Sequence, residues 1–276
     1  MLIPKLHGLF GRWAWLAGGL IGTIFFLMGI APLIRDSTDG CQTDEVTMSE
    51  STENDRAGIA QQWLAIAGIV APILYISVAT IMGLLEPGYS HRTMMMSILG
   101  GIGGLRGAAF NLGLVLTGAL LIAFGFGLHR GINQGKGNRI GLILLVIAGL
   151  GLIGSAYFHC ALGCVNVFKE PDFRGQMHIL FAFLTGLSFS FSPIPFFFSL
   201  KEDSRWKSYR AVTLAASVLA NIPGITLWIT MFTTRLPEWE GIIQRLGLLL
   251  PLMWVEVMAI RLLRLSKEES LKSRFI

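Results

Sequence analysis

Charge is what this chain has least of. Aspartate, glutamate, lysine and arginine make up 14% of it, against roughly 25% in soluble domains. With 53% hydrophobic residues and a mean hydropathy of +0.63, that scarcity excludes an ordinary soluble core. Cysteine is scarce as well, at three residues, and their spacing with the histidines fits no standard zinc motif. A phosphate loop is missing: the glycine-rich run SILGGIGGLRG is followed by no Gly-Lys-Ser/Thr and preceded by no strand. The 22 basic residues form no single patch, so the net charge of +5 does not indicate nucleic acid as a partner.

What is abundant is long apolar sequence. Seven stretches approach or exceed the roughly 20 residues that a helix needs to cross the hydrocarbon of a bilayer. They are Trp13–Ile34, Gln61–Leu85, Gly107–Leu128, Ile140–Phe158, Met177–Leu200, Ala211–Thr233 and Ile242–Leu263. The 33 glycines suit helices that pack closely in a membrane. The predicted fold is an all-α integral membrane protein: a six-helix transmembrane bundle plus one N-terminal transmembrane helix, seven spans in all. Residues 1–35 form that first helix. Residues 36–60 are acidic and Ser/Thr-rich and read as a disordered linker. Residues 61–266 form the six-span core, and 267–276 a basic tail.

Basic residues set the orientation. With the C-terminus in the cytoplasm, the inner segments hold 14 of the 22 lysines and arginines and the outer segments hold 8. The expected localisation is therefore the cell membrane, multi-pass, with the N-terminus outside and the C-terminus cytoplasmic. The first span opposes this, because Lys5 and Arg12 precede it and acidic residues follow it.

Two spans carry proline breaks, at Ser192-Pro193-Ile194-Pro195 and at Asn221-Ile222-Pro223-Gly224. A proline lacks the N–H for the carbonyl four residues earlier and kinks a helix. Either break shapes the bundle or lines a cavity. The segment from Glu86 to Arg106 has too many glycines for a span and is expected to cap the bundle as a re-entrant or interfacial piece.

Polar groups gather at the predicted outer ends of the spans. Glu86, Tyr89, His91, Arg92, Asn111 and Arg174 are the expected pocket residues. His159, His178 and Asp172 are the candidates for acid/base work on a lipid headgroup. His159, Cys160, Cys164 and His178 are ligand types for a metal, and a satisfied structural histidine is the competing reading. Cys160 and Cys164, four apart in an oxidising compartment, are expected to form a disulfide, leaving Cys41 unpaired. No cofactor is expected; His159 and His178 are one candidate haem pair, and His129 has no second histidine nearby in the sequence. Within the spans, Asn221 and Glu256 stand out. Glu256 must be protonated, paired or facing water, and no second intramembrane acid accompanies it to form a relay.

The segments LEPGYSHRTMMMSILGG with FNLGLVLTGALLIAFGFGL, FHCALGC with RGQMH, and EWEGIIQRLGLLLPLMWVEVMAIRLLR resemble the multi-pass membrane family catalogued as domain of unknown function 998. Pro87, Gly88, Tyr89, Ser97, Gly100, Asn111, Gly118, Cys160, Gly163, Cys164, Gly175 and His178 fall at positions of that pattern. The resemblance runs over about residues 61–264 and implies a six-span architecture without an assigned activity. The chain departs from the pattern at Ala161 and Leu162, where an Asp-Pro is common, and at His159, where a proline is usual. That lowers the expectation of an enzyme.

These residues lead to a lipid-binding or accessory protein with a polar pocket at the outer surface. Its expected partners are membrane lipids and other membrane protein subunits. A metal- or histidine-dependent hydrolase or transferase acting on a lipid headgroup is the alternative, and a small-solute or proton-coupled transporter is the third reading.

Overall fold

A computed structural model describes residues 48–133, 135–159, 173–233 and 236–273. Among them every regular element is helical. In chain order they are α1 (Met48–Leu85), α2 (Ser97–Gly100), α3 (Gly104–Gly131), α4 (Lys136–Tyr157), α5 (Phe173–Phe191), α6 (Pro193–Ser199), α7 (Arg210–Thr233) and α8 (Glu240–Ser273). Short 3₁₀ turns at Lys207–Tyr209 and Pro237–Trp239 precede α7 and α8.

Six helical segments are long and apolar enough to cross a membrane: Ala57–Leu85, Gly104–Gly131, Lys136–Tyr157, Phe173–Ser199, Lys207–Thr230 and Glu240–Leu271. The chain is a multi-pass helical membrane protein. The expected first span, Trp13–Ile34, lies outside the described residues. The linker expectation needs correction at its second half. Helix α1 begins at Met48 and runs without a break into the first described span. Residues 48–60 are poor in large apolar groups, yet they extend a helix that the membrane segment already nucleates, so each added residue gains a hydrogen bond without a new nucleation cost.

Packing runs around the bundle from α8 to α1, α3, α4 and α5, with α7 beside α8 and α6. Without a hydrophobic driving force in lipid, such contacts depend on close backbone approach. Helices α3 and α4 cross at paired glycines: a Cβ on Gly118 would lie 2.5 Å from the Gly149 carbonyl oxygen, and one on Gly149 would lie 2.6 Å from that of Gly118. Gly127 and Gly131 admit Leu64 and Leu262, and Gly151 admits Thr185. These glycines thus serve internal packing.

The two proline motifs behave differently. At Ser192-Pro193 the chain ends one helix and starts another, with Pro193 in the first turn of α6, where its missing N–H costs nothing. At Pro223 helix α7 continues through the proline, and the ring frees only the Leu219 carbonyl. Below the first break, α6 fills the bundle centre: Phe196 packs on Trp254 with ring centroids 5.8 Å apart, and both are buried. Above it, α5 lies against α4 and only loosely against α7 and α8. A hollow results on that side.

Candidate functional site

The hollow is a cavity of about 210 Å³ between α5, α7 and α8, reaching α3, α4 and the segment around α2. Its depth is apolar, with Leu152, Ile179, Ala182, Leu187, Leu248 and Phe110 on the walls. Polar groups collect at the end next to the 86–103 segment: Ser97, Asn111, Ser155, His159, His178 and Gln244. Ser190 and Asn221 lie deeper. Two lining residues are also open to the bundle exterior, Phe191 at 41% and Ile225 at 58% exposure. They mark a lateral gap between α5 and α7. Trp228 and Phe183 meet edge to face across it, with centroids 5.0 Å apart.

Local sequence explains each polar placement. Gly100 ends the short α2 helix, and its carbonyl accepts a 3.0 Å hydrogen bond from Asn111 Nδ2. That bond ties the 86–103 segment to the start of α3. The Met96 amide donates to Gln244 Oε1 at 2.6 Å, tying the same segment to α8. Helix α4 ends at Tyr157, leaving the Ser155 carbonyl without an intrahelical partner, and His178 Nδ1 takes it up at 3.2 Å. His178 is buried and acts as a link between α4 and α5. Asn221 Nδ2 donates to the Ser217 carbonyl at 2.6 Å and to the Ser190 carbonyl at 3.3 Å, so it bridges α7 and α5 just before Pro223.

Of the expected pocket residues, Asn111 lines this cavity. The other five are outside its lining. Glu86 pairs with Arg106 at 3.2 Å, Arg92 stacks over Trp239 at 4.2 Å, and Arg174 is exposed at the start of α5. Tyr89 and His91 belong to a clamp around Arg245, which sequence reading did not single out. Arg245 Nη2 donates to Tyr89 Oη at 2.6 Å and to His91 Nδ1 at 3.0 Å. Its Nη1 donates to the carbonyls of His91, Met94 and Gly241. Burial raises the Tyr89 phenol above its ordinary pKa, against the opposing pull of Arg245. Burial and then the Arg245 charge lower the His91 imidazole. A neutral His91 is what accepting from a guanidinium at Nδ1 requires.

His159 and His178 both line the cavity. Cys160, Cys164 and Asp172, and with them the expected disulfide and half of the metal-ligand set, lie outside the described residues. No group of three or more histidine, cysteine or carboxylate side chains suited to a metal occurs among the described residues. Glu256 is half-buried on α8 and makes no hydrogen bond or ion pair among the described residues. Arg261, five residues on, donates to the Arg205 carbonyl at 2.8 Å.

The opposite end of the bundle holds a second cluster that the sequence did not reveal. Asp203, 2% exposed, accepts from Arg205 Nε at 3.1 Å and Nη2 at 2.9 Å and from the amides of Arg205 and Asn133. Burial pushes its carboxyl up, and the Arg205 hydrogen bonds outweigh that and hold it below the usual range. Arg205 and Trp206 both donate to the Gly131 carbonyl. In sequence these residues look like loop charges that report orientation; their role as a lock depends on contacts some 70 residues apart.

A polytopic helical bundle, solid at one end and hollow at the other, is the class that this fold and site define. The chain belongs to the family described as protein of unknown function (DUF998), whose model matches residues 69–261. Comparison with curated proteins and with solved structures gives no match.

Proposed function

We propose that this protein binds a membrane lipid or related amphiphile, seating one chain in the cavity between α5 and α7–α8. The observation that carries the reading is the cavity's polarity gradient together with its lateral gap. An apolar depth and a polar end suit a molecule with the same division, and the gap at Phe191 and Ile225 gives access from the hydrocarbon. Size narrows the occupant. Ligand sites usually measure about 300–1,000 Å³, and 210 Å³ accommodates part of a single chain, not a whole two-chain lipid. We further place the C-terminus in the cytoplasm, which puts the polar end of the cavity in the outer leaflet. The basic residues of the 201–210 segment and of the C-terminal end support this.

Native mass spectrometry of the full chain released from mild detergent tests the binding. One retained amphiphile per protein is expected, lost when Gly186→Trp fills the cavity. Retention unchanged by Gly186→Trp, in a variant that still folds, would remove the cavity as the binding site. Thiol labelling of a cysteine placed at Ser273 in intact cells tests the orientation: labelling from outside would place the cavity in the inner leaflet.

A further inference from the structure

We infer that the cavity selects a neutral, hydroxyl-bearing amphiphile, a long-chain alcohol, over one with a phosphate or carboxylate head; this rests on the binding reading above. Three buried polar atoms of cavity-lining residues have no hydrogen-bond partner: Asn111 Oδ1, Ser155 Oγ and His159 Nδ1. Ser155 is only 7% exposed. Leaving such an atom buried and unsatisfied is costly, so three in one cavity are a recognition surface awaiting a partner.

Their chemistry specifies that partner. Asn111 Nδ2 already donates to the Gly100 carbonyl, which fixes the amide and leaves Oδ1 as a pure acceptor. Asn111 and His159 flank the same glycine: both side chains come within 3.6 Å of where a Gly100 Cβ would stand. Ser155 offers a hydroxyl that donates or accepts, and His159 an imidazole nitrogen that does either according to tautomer. A ligand hydroxyl matches this set, because it gives its proton to Asn111 Oδ1 and accepts one bond from Ser155 or His159. An ionised phosphate or carboxylate has only acceptors and would set lone pairs against Asn111 Oδ1.

Charge gives the same answer. Among the described residues the cavity is lined by no lysine, arginine, aspartate or glutamate. A buried anion needs a paired cation to offset its desolvation, and phosphate is usually held by arginine or lysine. Of the arginines at this end, Arg245 is engaged by Tyr89, His91 and three carbonyls, Arg92 lies over Trp239, and Arg174 is exposed and outside the cavity lining. His178 has its Nδ1 engaged with the Ser155 carbonyl.

The test uses the full chain in nanodiscs and a diazirine-bearing, alkyne-tagged C16 alcohol as probe. Unlabelled C16 alcohol, C16 carboxylic acid and C16 phosphate monoester serve as competitors. Labelling is expected on peptides of α5 and α7 that line the cavity. The alcohol should compete at least tenfold better than the other two. Asn111→Leu should weaken alcohol competition about tenfold, the value of one lost hydrogen bond and its unpaired partner, and leave the acid and the phosphate unchanged. Ser155→Ala, a smaller change, should weaken it severalfold, so the result does not hang on one variant folding. Equal competition by all three, or preference for the phosphate or acid, would overturn the hydroxyl inference while leaving the cavity as a chain-binding site. Labelling absent from the cavity peptides would overturn both.

Discussion

The two ends of the bundle are made by the same long helices, yet one is packed through its centre and the other is hollow. At the filled end, Phe196 and Trp254 occupy the centre, and the Asp203 carboxylate has four hydrogen bonds from Asn133 and Arg205. At the hollow end, Asn111, Ser155 and His159 keep polar atoms unpaired around a cavity. The boundary is the Ser192-Pro193 break. It lets one span supply a central plug on one side and a lateral wall on the other. The comparison teaches that a proline break in a membrane helix need not itself hold a ligand. Here it redistributes packing so that a cavity forms one turn away.

The largest effect expected from breaking this contrast is at the plug. Phe196→Ala should destabilise the fold by about 3–5 kcal/mol, as for a fully buried aromatic, read by thermal unfolding in detergent. Phe191→Ala, five residues earlier and facing the cavity mouth, should cost less than about 1 kcal/mol. Equal losses would mean that the two ends are packed alike.

A paired glycine experiment comes next. A Cβ at Gly151 would run into Thr185 and the Phe181 carbonyl, whereas one at Gly186 has open space. Gly151→Leu should cost about 1–3 kcal/mol or more through overpacking, and Gly186→Leu should leave the melting temperature nearly unchanged. Comparable shifts in both variants would show that the space beside Gly186 is not there.

The Arg245 clamp should respond to pH with a smaller amplitude. His91 is held neutral, with its pKa below the ordinary value of about 6.5. The folded state therefore binds fewer protons than the unfolded one. The clamp's contribution is present above about pH 6.5 and is lost as pH falls through the lowered value. His91→Gln should flatten stability against pH in that window, and an unchanged slope would remove His91 as its source. The smallest effect belongs to Glu256→Gln. With no partner among the described residues, Glu256 should lose little on amidation, and unfolding should shift by less than about 0.5 kcal/mol. Proton-coupled flux present in the parent and abolished by Glu256→Gln would instead assign that carboxylate a transport role.

Much of this architecture was legible in the sequence because spans of 20 apolar residues are a strong signal. The six described spans begin within four residues of where hydropathy places them, although the last runs eight residues further, to Leu271, and the break at Ser192-Pro193 was readable from proline chemistry alone. The start of α1 was not, because a polar segment can extend a helix that its apolar neighbour nucleates. The site was legible only in part. Asn111, His159 and His178 were identifiable as polar groups beside apolar runs, and they do meet in one cavity. Tyr89 and His91 carried the same signal and went elsewhere, because Arg245 lies more than 150 residues away in sequence and captures both. Ser155 and Gln244 were missed: a serine and a glutamine give no sign in sequence of which helix they will face.

Two serines on the same span allow the most direct test. Ser190 and Ser199 are both buried, but Ser190 lines the cavity, while Ser199 packs against Gly137 at the filled end. In a background with the three native cysteines replaced, Ser190→Cys and Ser199→Cys would be treated with a membrane-soluble N-alkylmaleimide in nanodiscs. The cavity, reached from the hydrocarbon through the gap between α5 and α7, predicts that Ser190→Cys reacts at least tenfold faster than Ser199→Cys and that Gly186→Trp abolishes the difference. Equal rates at the two positions would contradict it.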